Sequence, residues 1–173
     1  MRIVTTPMCE EVVRLAGIKE YNVNKFPTEN DGDFAILLSE SKVEMDSLAI
    51  KLNTPKQLFD SIREVSKLSE KELDESEILD FFKDYSLCRK YLEDYDNSNI
   101  RVKVYSNFLK DMVSNIGFEI SDDSYDYVIY PDYMKDKVLE ESVELIEIPS
   151  HGVVSKNPFE RIESRYSILE KLI

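Results

Sequence analysis

The sequence is poor in glycine, histidine and cysteine, and these shortages exclude several kinds of active site. Its 173 residues include 4 glycines, at positions 17, 32, 117 and 152. With this spacing neither a G-x-G-x-x-G dinucleotide fingerprint nor a P-loop can be written. No G-x-S-x-G nucleophile elbow is present either. A single histidine and two distant cysteines, Cys9 and Cys88, do not make a zinc site or a disulfide framework.

Long apolar runs and basic charge are also missing. The run FAILL at residues 34–38 is far too short to span a bilayer. Met1 leads directly into the strand-like RIVTT with no apolar leader, so we expect a cytoplasmic protein. The net charge of −13 disfavours nucleic acid and anionic membranes as partners. We therefore expect an anionic ligand to be bound locally, by helix N-termini and backbone N–H groups.

Short apolar segments alternate with helical spacings along most of the chain. This alternation predicts a single α/β domain over residues 1–173, with a largely parallel sheet and helices on both faces. Residues 55–95 are predicted to be a helical elaboration of that domain, and a hairpin is one option for the third and fourth strands. The predicted strands span residues 2–6, 21–23, 34–39, 47–52, 100–105, 125–130 and 143–148. The predicted helices span residues 8–16, 55–68, 74–95, 107–115, 131–141 and 157–172.

Four predicted strand-to-helix turns carry small or polar residues. They are TTPMC at 5–9, YSN at 105–107, YPDY at 130–133 and PSHG at 149–152. In open α/β sheets, ligands bind beyond the carboxyl ends of the parallel strands. If the strands are parallel, these turns share one edge, and Cys9 and His151 lie on the same rim.

Cys9 is the residue in these turns that is best suited to act as a nucleophile. A cysteine in the first turn of a helix lies near the positive end of the helix dipole, which favours the thiolate. Backbone N–H groups around residues 8–11 would then hold an oxyanion. Glu10 and Glu11 act in the opposite direction and raise the pKa of the thiol, so the sign of the net shift stays open. The alternatives are that Cys9 is buried apolar filler and that His151 is a turn residue. Cys88, on an apolar helical stripe, is predicted to belong to the core.

The segment RIVTTPMCEEVVRLAGI, in which the cysteine follows Thr-Pro-Met, resembles the HcgF family of iron-guanylylpyridinol cofactor biosynthesis, which serves [Fe]-hydrogenase in methanogens. The resemblance covers about the first seventeen residues. It implies a fold similar to nicotinamide-mononucleotide deamidases. It also implies an E1-like partner, HcgE, that adenylylates the carboxylate of guanylylpyridinol. Cys9 would attack this acyl-adenylate, release AMP and form a protein–pyridinol thioester, with no cofactor of the protein's own.

The resemblance and the strand-end turns together give a set of predicted site residues. Cys9 is the predicted nucleophile, and His151 is the second predicted catalytic residue. The predicted contacts to the substrate are Thr5, Thr6, Pro7, Met8, Glu10, Ser106, Asn107 and Asp132.

Other functions are compatible with the same sequence. The chain would be a noncatalytic module that binds a nucleotide-like ligand if Cys9 only lines the pocket. A nucleotide amidohydrolase-like enzyme is a further alternative. A third class is a partner protein that docks through the acidic helix at 74–95. A homodimer would cover open sheet edges.

Overall fold

Eight short strands form two separate parallel sheets in the computed structural model, which describes residues 1–150, 152 and 154–173. The strand orders are β2-β1-β3-β4 and β6-β5-β7-β8, and each neighbouring pair is parallel. The strands are β1 Ile3–Thr5, β2 Asn22–Val23, β3 Phe34–Leu38, β4 Ser47–Ile50, β5 Arg101–Val104, β6 Glu119–Ile120, β7 Tyr127–Pro131 and β8 Glu144–Ile148. The helices are α1 Glu10–Leu15, α2 Pro55–Ser66, α3 Glu75–Asp80, α4 Ser86–Lys90, α5 Asn107–Ile116 and α6 Pro158–Glu170, with a 3₁₀ helix at Asp132–Lys137.

The two halves of the chain repeat one topology. The order β1-α1-β2-β3-β4-α2 in the first half corresponds to β5-α5-β6-β7-β8-α6 in the second, where the 3₁₀ helix lies between β7 and β8, and the two strand orders correspond position by position. Helices α3 and α4 have no counterpart among the described residues of the second half. The predicted α/β class with parallel strands is confirmed. The strands are divided between two sheets rather than joined in one, because β5 pairs with β6 and β7 and begins a sheet of its own. The four predicted strand-to-helix turns therefore lie at the edges of two different sheets: the turn at 5–9 at the first, and the other three at the second.

The third and fourth strands do not form a hairpin. β3 and β4 run parallel, with Ala35 opposite Ser47. The connection between them, residues 39–46, packs its side chains Val43 and Met45 against the buried Val4, Ala35 and Leu37. This loop covers the outer face of the first sheet, where a helix would lie in a more regular α/β protein.

The predicted helix at 74–95 is broken into α3 and α4. Tyr85, between them, is extended at φ −121° and ψ 94°, and its side chain does not cap α4. Glu163 of α6 replaces that cap, since its Oε1 accepts hydrogen bonds from the backbone N–H groups of Leu87 at 2.8 Å and Cys88 at 2.9 Å. A contact distant in sequence thus stabilises the break. Cys88 is fully buried, as predicted.

One apolar core is shared by the two sheets. It lies between the sheets and the helices that pack on them. It contains Ile3 and Ile36 of the first sheet together with Val102 and Ile129 of the second. Helices α2 and α6 contact each other across it. In the part of the chain that the structure describes, no helix has both the length and the apolar character needed to cross a membrane. This arrangement places the start of α6 beside the carboxyl ends of both sheets.

Candidate functional site

A cavity of about 480 Å³ lies at the carboxyl edge of the first sheet. Its walls combine apolar, hydroxyl and charged side chains, and one of its residues, Lys156, comes from the loop before α6. The lining residues are Thr6, Pro7, Met8, Lys25, Phe26, Leu38, Glu40, Ser41 and Lys156. A concave site of this size with an apolar wall and a few polar groups is typical of small-molecule binding sites.

The loop that carries Phe26 into the cavity is held by hydrogen bonds. The carboxylate of Asp31 accepts from the backbone N–H of Thr28 at 2.7 Å and from the side-chain amide of Asn24 at 3.1 Å. The backbone N–H of Phe26 donates to Asn24 Oδ1 at 3.0 Å. These bonds fix the loop while the Phe26 side chain stays 74% exposed at the cavity mouth. Because the loop backbone is already held, a ligand that packs on the ring of Phe26 loses little backbone entropy on binding.

Cys9 is the N-cap residue of α1, and its thiol lies behind the cavity wall rather than in it. The residue is 0% exposed. Burial raises the pKa of the thiol to about 11, while Thr6 and the charge of Arg161 lower it in part and Glu40 raises it further. The open sign of the pKa shift is thereby resolved upward. Burial, rather than the neighbouring glutamates of α1, is its main cause, because desolvation disfavours the charged form.

The other predicted residues of the first strand end lie around this cavity. Thr6, Pro7 and Met8 line it. Thr5 is fully buried, and its hydroxyl donates to the backbone oxygen of Ile36 at 2.8 Å, so it secures the sheet. Glu10 faces a smaller neighbouring cleft, which it shares with Pro7 and Lys156.

The predicted residues of the second half lie at the edge of the second sheet. Asp132 accepts a hydrogen bond from the backbone N–H of Ser150 at 3.2 Å and another from its hydroxyl. These bonds lower the pKa of Asp132 despite the opposing effect of burial. Asn107 is exposed at the first position of α5. His151 lies outside the described residues, so its predicted role stays a prediction.

Ser106 is unusual among the predicted residues. Its backbone has φ 136°, a region that side-chain-bearing residues rarely adopt. Its hydroxyl oxygen is buried and has no hydrogen-bond partner within the described residues. Unpaired buried hydroxyls and unfavourable backbone angles both cost free energy, and residues with such backbone angles cluster at functional sites.

Two arginines of α6 that the sequence patterns did not indicate lie between the two sheet edges. Arg161 is 2% exposed and Arg165 is 4% exposed. Burial lowers the pKa of each guanidinium to about 10. Both positions belong to the buried stripe of α6, next to the core residues Ile162 and Tyr166. A charged residue on an otherwise apolar helical stripe was the signal that could have identified them.

Metal-ligating side chains are not grouped in the part of the chain described. Among residues 1–150, 152 and 154–173, no three His, Cys, Asp or Glu side chains are placed to hold one ion. The distinctive features of this region are instead the cavity, the buried thiol of Cys9 behind its wall, and the buried guanidiniums of Arg161 and Arg165.

Comparisons with known proteins establish the fold. No protein-family model matches the sequence, and no curated protein matches it. Among solved structures, the chain is similar to the periplasmic vitamin B12 binding protein BtuF of Vibrio cholerae, with a TM-score of 0.56, 11% identity and coverage of 99% of this chain and 96% of that one. It is similar to the SBP FpvC of P. aeruginosa in complex with Ni²⁺, with a TM-score of 0.56, 12% identity and coverage of 100% and 98%. It is also similar to the metal-dependent lipoprotein YcdH of Bacillus subtilis, with a TM-score of 0.56, 10% identity and coverage of 99% and 98%. At these identities the likeness concerns the α/β fold alone.

Proposed function

We propose that this protein binds a small molecule in the cavity at the carboxyl edge of its first sheet. The observation that carries the proposal is the cavity itself, whose volume of about 480 Å³ lies within the range of small-molecule sites. The carboxyl edge of a parallel sheet is also where α/β proteins bind ligands. Solved proteins of the same fold support the proposal, since their names describe binding of vitamin B12 or metal ions.

The cavity walls favour a ligand with an apolar body and polar ends. Pro7, Met8, Leu38 and the ring of Phe26 form the apolar part. Hydroxyl groups and lysines surround it, and Lys156 contributes from the second half of the chain. A ligand that touches Lys156 and the first sheet together would contact both halves.

The thioester reaction implied by the HcgF resemblance is a separate prediction. It needs a thiolate that reaches an acyl-adenylate, whereas the Cys9 thiol is fully buried and its pKa is raised to about 11. A partner of the HcgE type, guanylylpyridinol as substrate, a cytoplasmic location and a homodimer likewise stay predictions. We favour ligand binding because it uses the cavity as it stands and requires no movement of Cys9.

Calorimetric titration of cobalamins, nucleotides, sugars and carboxylic acids tests the proposal. Ser41→Trp should abolish binding by filling the cavity from an exposed wall position. Phe26→Ala should weaken it about 10- to 100-fold, because burial of a phenylalanine ring is worth about 1.5–3 kcal/mol. Leu139→Ala is the matched control, since Leu139 is an apolar side chain of similar exposure, 66%, outside the cavity. Binding that persists in Ser41→Trp, or no binding by any compound, would contradict the proposal.

A further inference from the structure

Two buried arginines lie one turn apart at the start of α6, where the two sheets face each other. Arg161 points toward the first half of the chain, since its Nη1 lies 3.8 Å from Met8 Sδ. The same nitrogen donates to the backbone oxygens of Ser155 and Lys156, each at 3.1 Å. Met8 and Lys156 both line the cavity, so this guanidinium lies directly behind the cavity wall.

Arg165 contacts the second half of the chain. Its Nε donates to the backbone oxygen of Pro149 at 3.0 Å, and its guanidinium lies 5.1 Å from the centre of the Phe108 ring. Asp132 is the acidic group that acts on it electrostatically, but the oxygens of that carboxylate accept hydrogen bonds from Ser150. The two guanidiniums thus contact the carboxyl edges of different sheets, Arg161 at Met8 and Arg165 at Pro149.

Neither guanidinium is neutralised by a carboxylate. Among the described residues, no Asp or Glu oxygen lies within 4.0 Å of Arg161 or Arg165, although salt bridges are plentiful elsewhere on the surface. The two charges also repel each other, and the charge of Arg161 lowers the pKa of Arg165. Burying one unpaired charge is costly, and burying two of the same sign close together is more so. In a chain with a net charge of −13, acidic side chains are abundant, so the lack of one here is informative.

Such a pair is well suited to hold an oxyanion. Guanidinium groups bind carboxylate and phosphate through parallel hydrogen bonds, and burial strengthens these bonds. At the neighbouring edge of the second sheet, the buried hydroxyl of Ser106 has no partner among the described residues, and the backbone there has φ 136°.

We propose that Arg161 and Arg165 bind an oxyanionic group, a carboxylate or a phosphate, of the ligand whose body occupies the cavity next to Arg161. The inference rests on the proposed function, because it gives the charge class of that ligand. It differs from the sequence-based expectation that an anion would be bound by helix N-termini. Because each arginine contacts a different half of the chain, the bound anion would also join the two halves.

Binding of inorganic phosphate and of citrate to the full chain, measured by calorimetry against sodium chloride of equal ionic strength, tests the inference. We expect at least one of the two anions to bind and to raise the unfolding temperature beyond the chloride control. Phosphate and citrate distinguish a phosphorylated ligand from a carboxylic acid. Arg165→Met should weaken the binding at least tenfold.

Arg63→Met is a matched control for the loss of an arginine. Arg63 of α2 also lies 5.1 Å from an aromatic ring, that of Phe59, but it is paired with Asp60 at 3.0 Å. This variant should bind the anion as the wild type does. If Arg165→Met does not fold, Arg165→Lys serves in its place. It keeps the buried charge but loses the planar fork, so binding should fall several-fold.

The outcomes separate this inference from the proposed function. Absence of anion binding beyond chloride, or unchanged binding in the folded Arg165 variant, would overturn the inference. An uncharged compound that binds the wild type and not Ser41→Trp, when neither anion binds, would overturn it while supporting the proposed function. Phosphate or citrate that binds Ser41→Trp and wild type equally, and is lost in Arg165→Met, would show an arginine site outside the cavity and overturn its assignment to the cavity's ligand.

Discussion

The cap that Glu163 provides to α4 gives a stability prediction of defined size. One oxygen of this carboxylate, Oε1, accepts the backbone N–H groups of both Leu87 and Cys88. The side chain of the N-cap residue Tyr85 does not cap α4, so Glu163→Ala leaves two N–H groups at a helix start without their acceptor. Hydrogen bonds to a charged group are worth about 1.5–3 kcal/mol each. Because the site is half-buried, we expect a combined loss of about 2–4 kcal/mol in the free energy of unfolding.

Urea unfolding followed by circular dichroism measures this loss. For a domain of this size, a loss of about 2–4 kcal/mol corresponds to a decrease of about 4–16 °C in unfolding temperature. Glu163→Gln keeps an oxygen that can accept both N–H groups but removes the charge, so it should cost about half as much. Glu64→Ala is the control, since Glu64 is exposed and its ion pair with Lys67 at 2.7 Å should contribute less than about 1 kcal/mol. A Glu163→Ala protein as stable as Glu64→Ala would refute the assignment of Glu163 as the cap.

Two further predictions concern backbone geometry and thiol chemistry. Gly17→Ala and Gly117→Ala both place a side chain at positive φ, +91° and +93°, but a Cβ at 117 would lie 1.9 Å from the backbone oxygen of Tyr95. We therefore expect about 1 kcal/mol of destabilisation at position 17 and more than about 3 kcal/mol at 117; equal losses in urea unfolding would contradict this. Native Cys9 should resist iodoacetamide at pH 7 and react faster as pH rises toward its pKa of about 11, since the thiolate is the nucleophile. Rapid alkylation at pH 7, seen by mass spectrometry, would refute the buried thiol and favour the thioester prediction.

Local sequence patterns predicted the individual elements of this fold better than their connections. The predicted helix at 157–172 begins at its cap residue Asn157 with Pro158 in the first turn, and the predicted helix at 107–115 ends just before Gly117, whose φ is +93°. These signals depend on neighbours in sequence, so they can be read without a structure. The division of the strands into two sheets depends on which strands pair, and the break between α3 and α4 depends on Glu163, about 75 residues away.

The sequence likewise predicted those residues of the candidate site whose position depends on local structure, and missed those placed by the tertiary fold. Thr6, Pro7 and Met8 line the cavity because they follow a parallel strand, which the alternating pattern indicated. Cys9 is adjacent in sequence, but as the N-cap residue its side chain packs into the core, and sequence alone did not give that direction. Phe26 and Lys156 come from loops whose approach depends on the tertiary fold. Arg161 lies on a helix whose pattern was recognised, but its significance comes from the missing acidic partner.

Ligand mapping by nuclear magnetic resonance tests the central claim most directly. A ¹⁵N-labelled protein titrated with the compound that binds in the calorimetric screen should show shifts of the backbone resonances of Met8, Phe26, Ser41 and Lys156, which surround the cavity. That result would place the ligand at the carboxyl edge of the first sheet. Shifts confined to the acidic segment 74–95, with those four resonances unchanged, would contradict the account and favour a docking surface on α3 and α4.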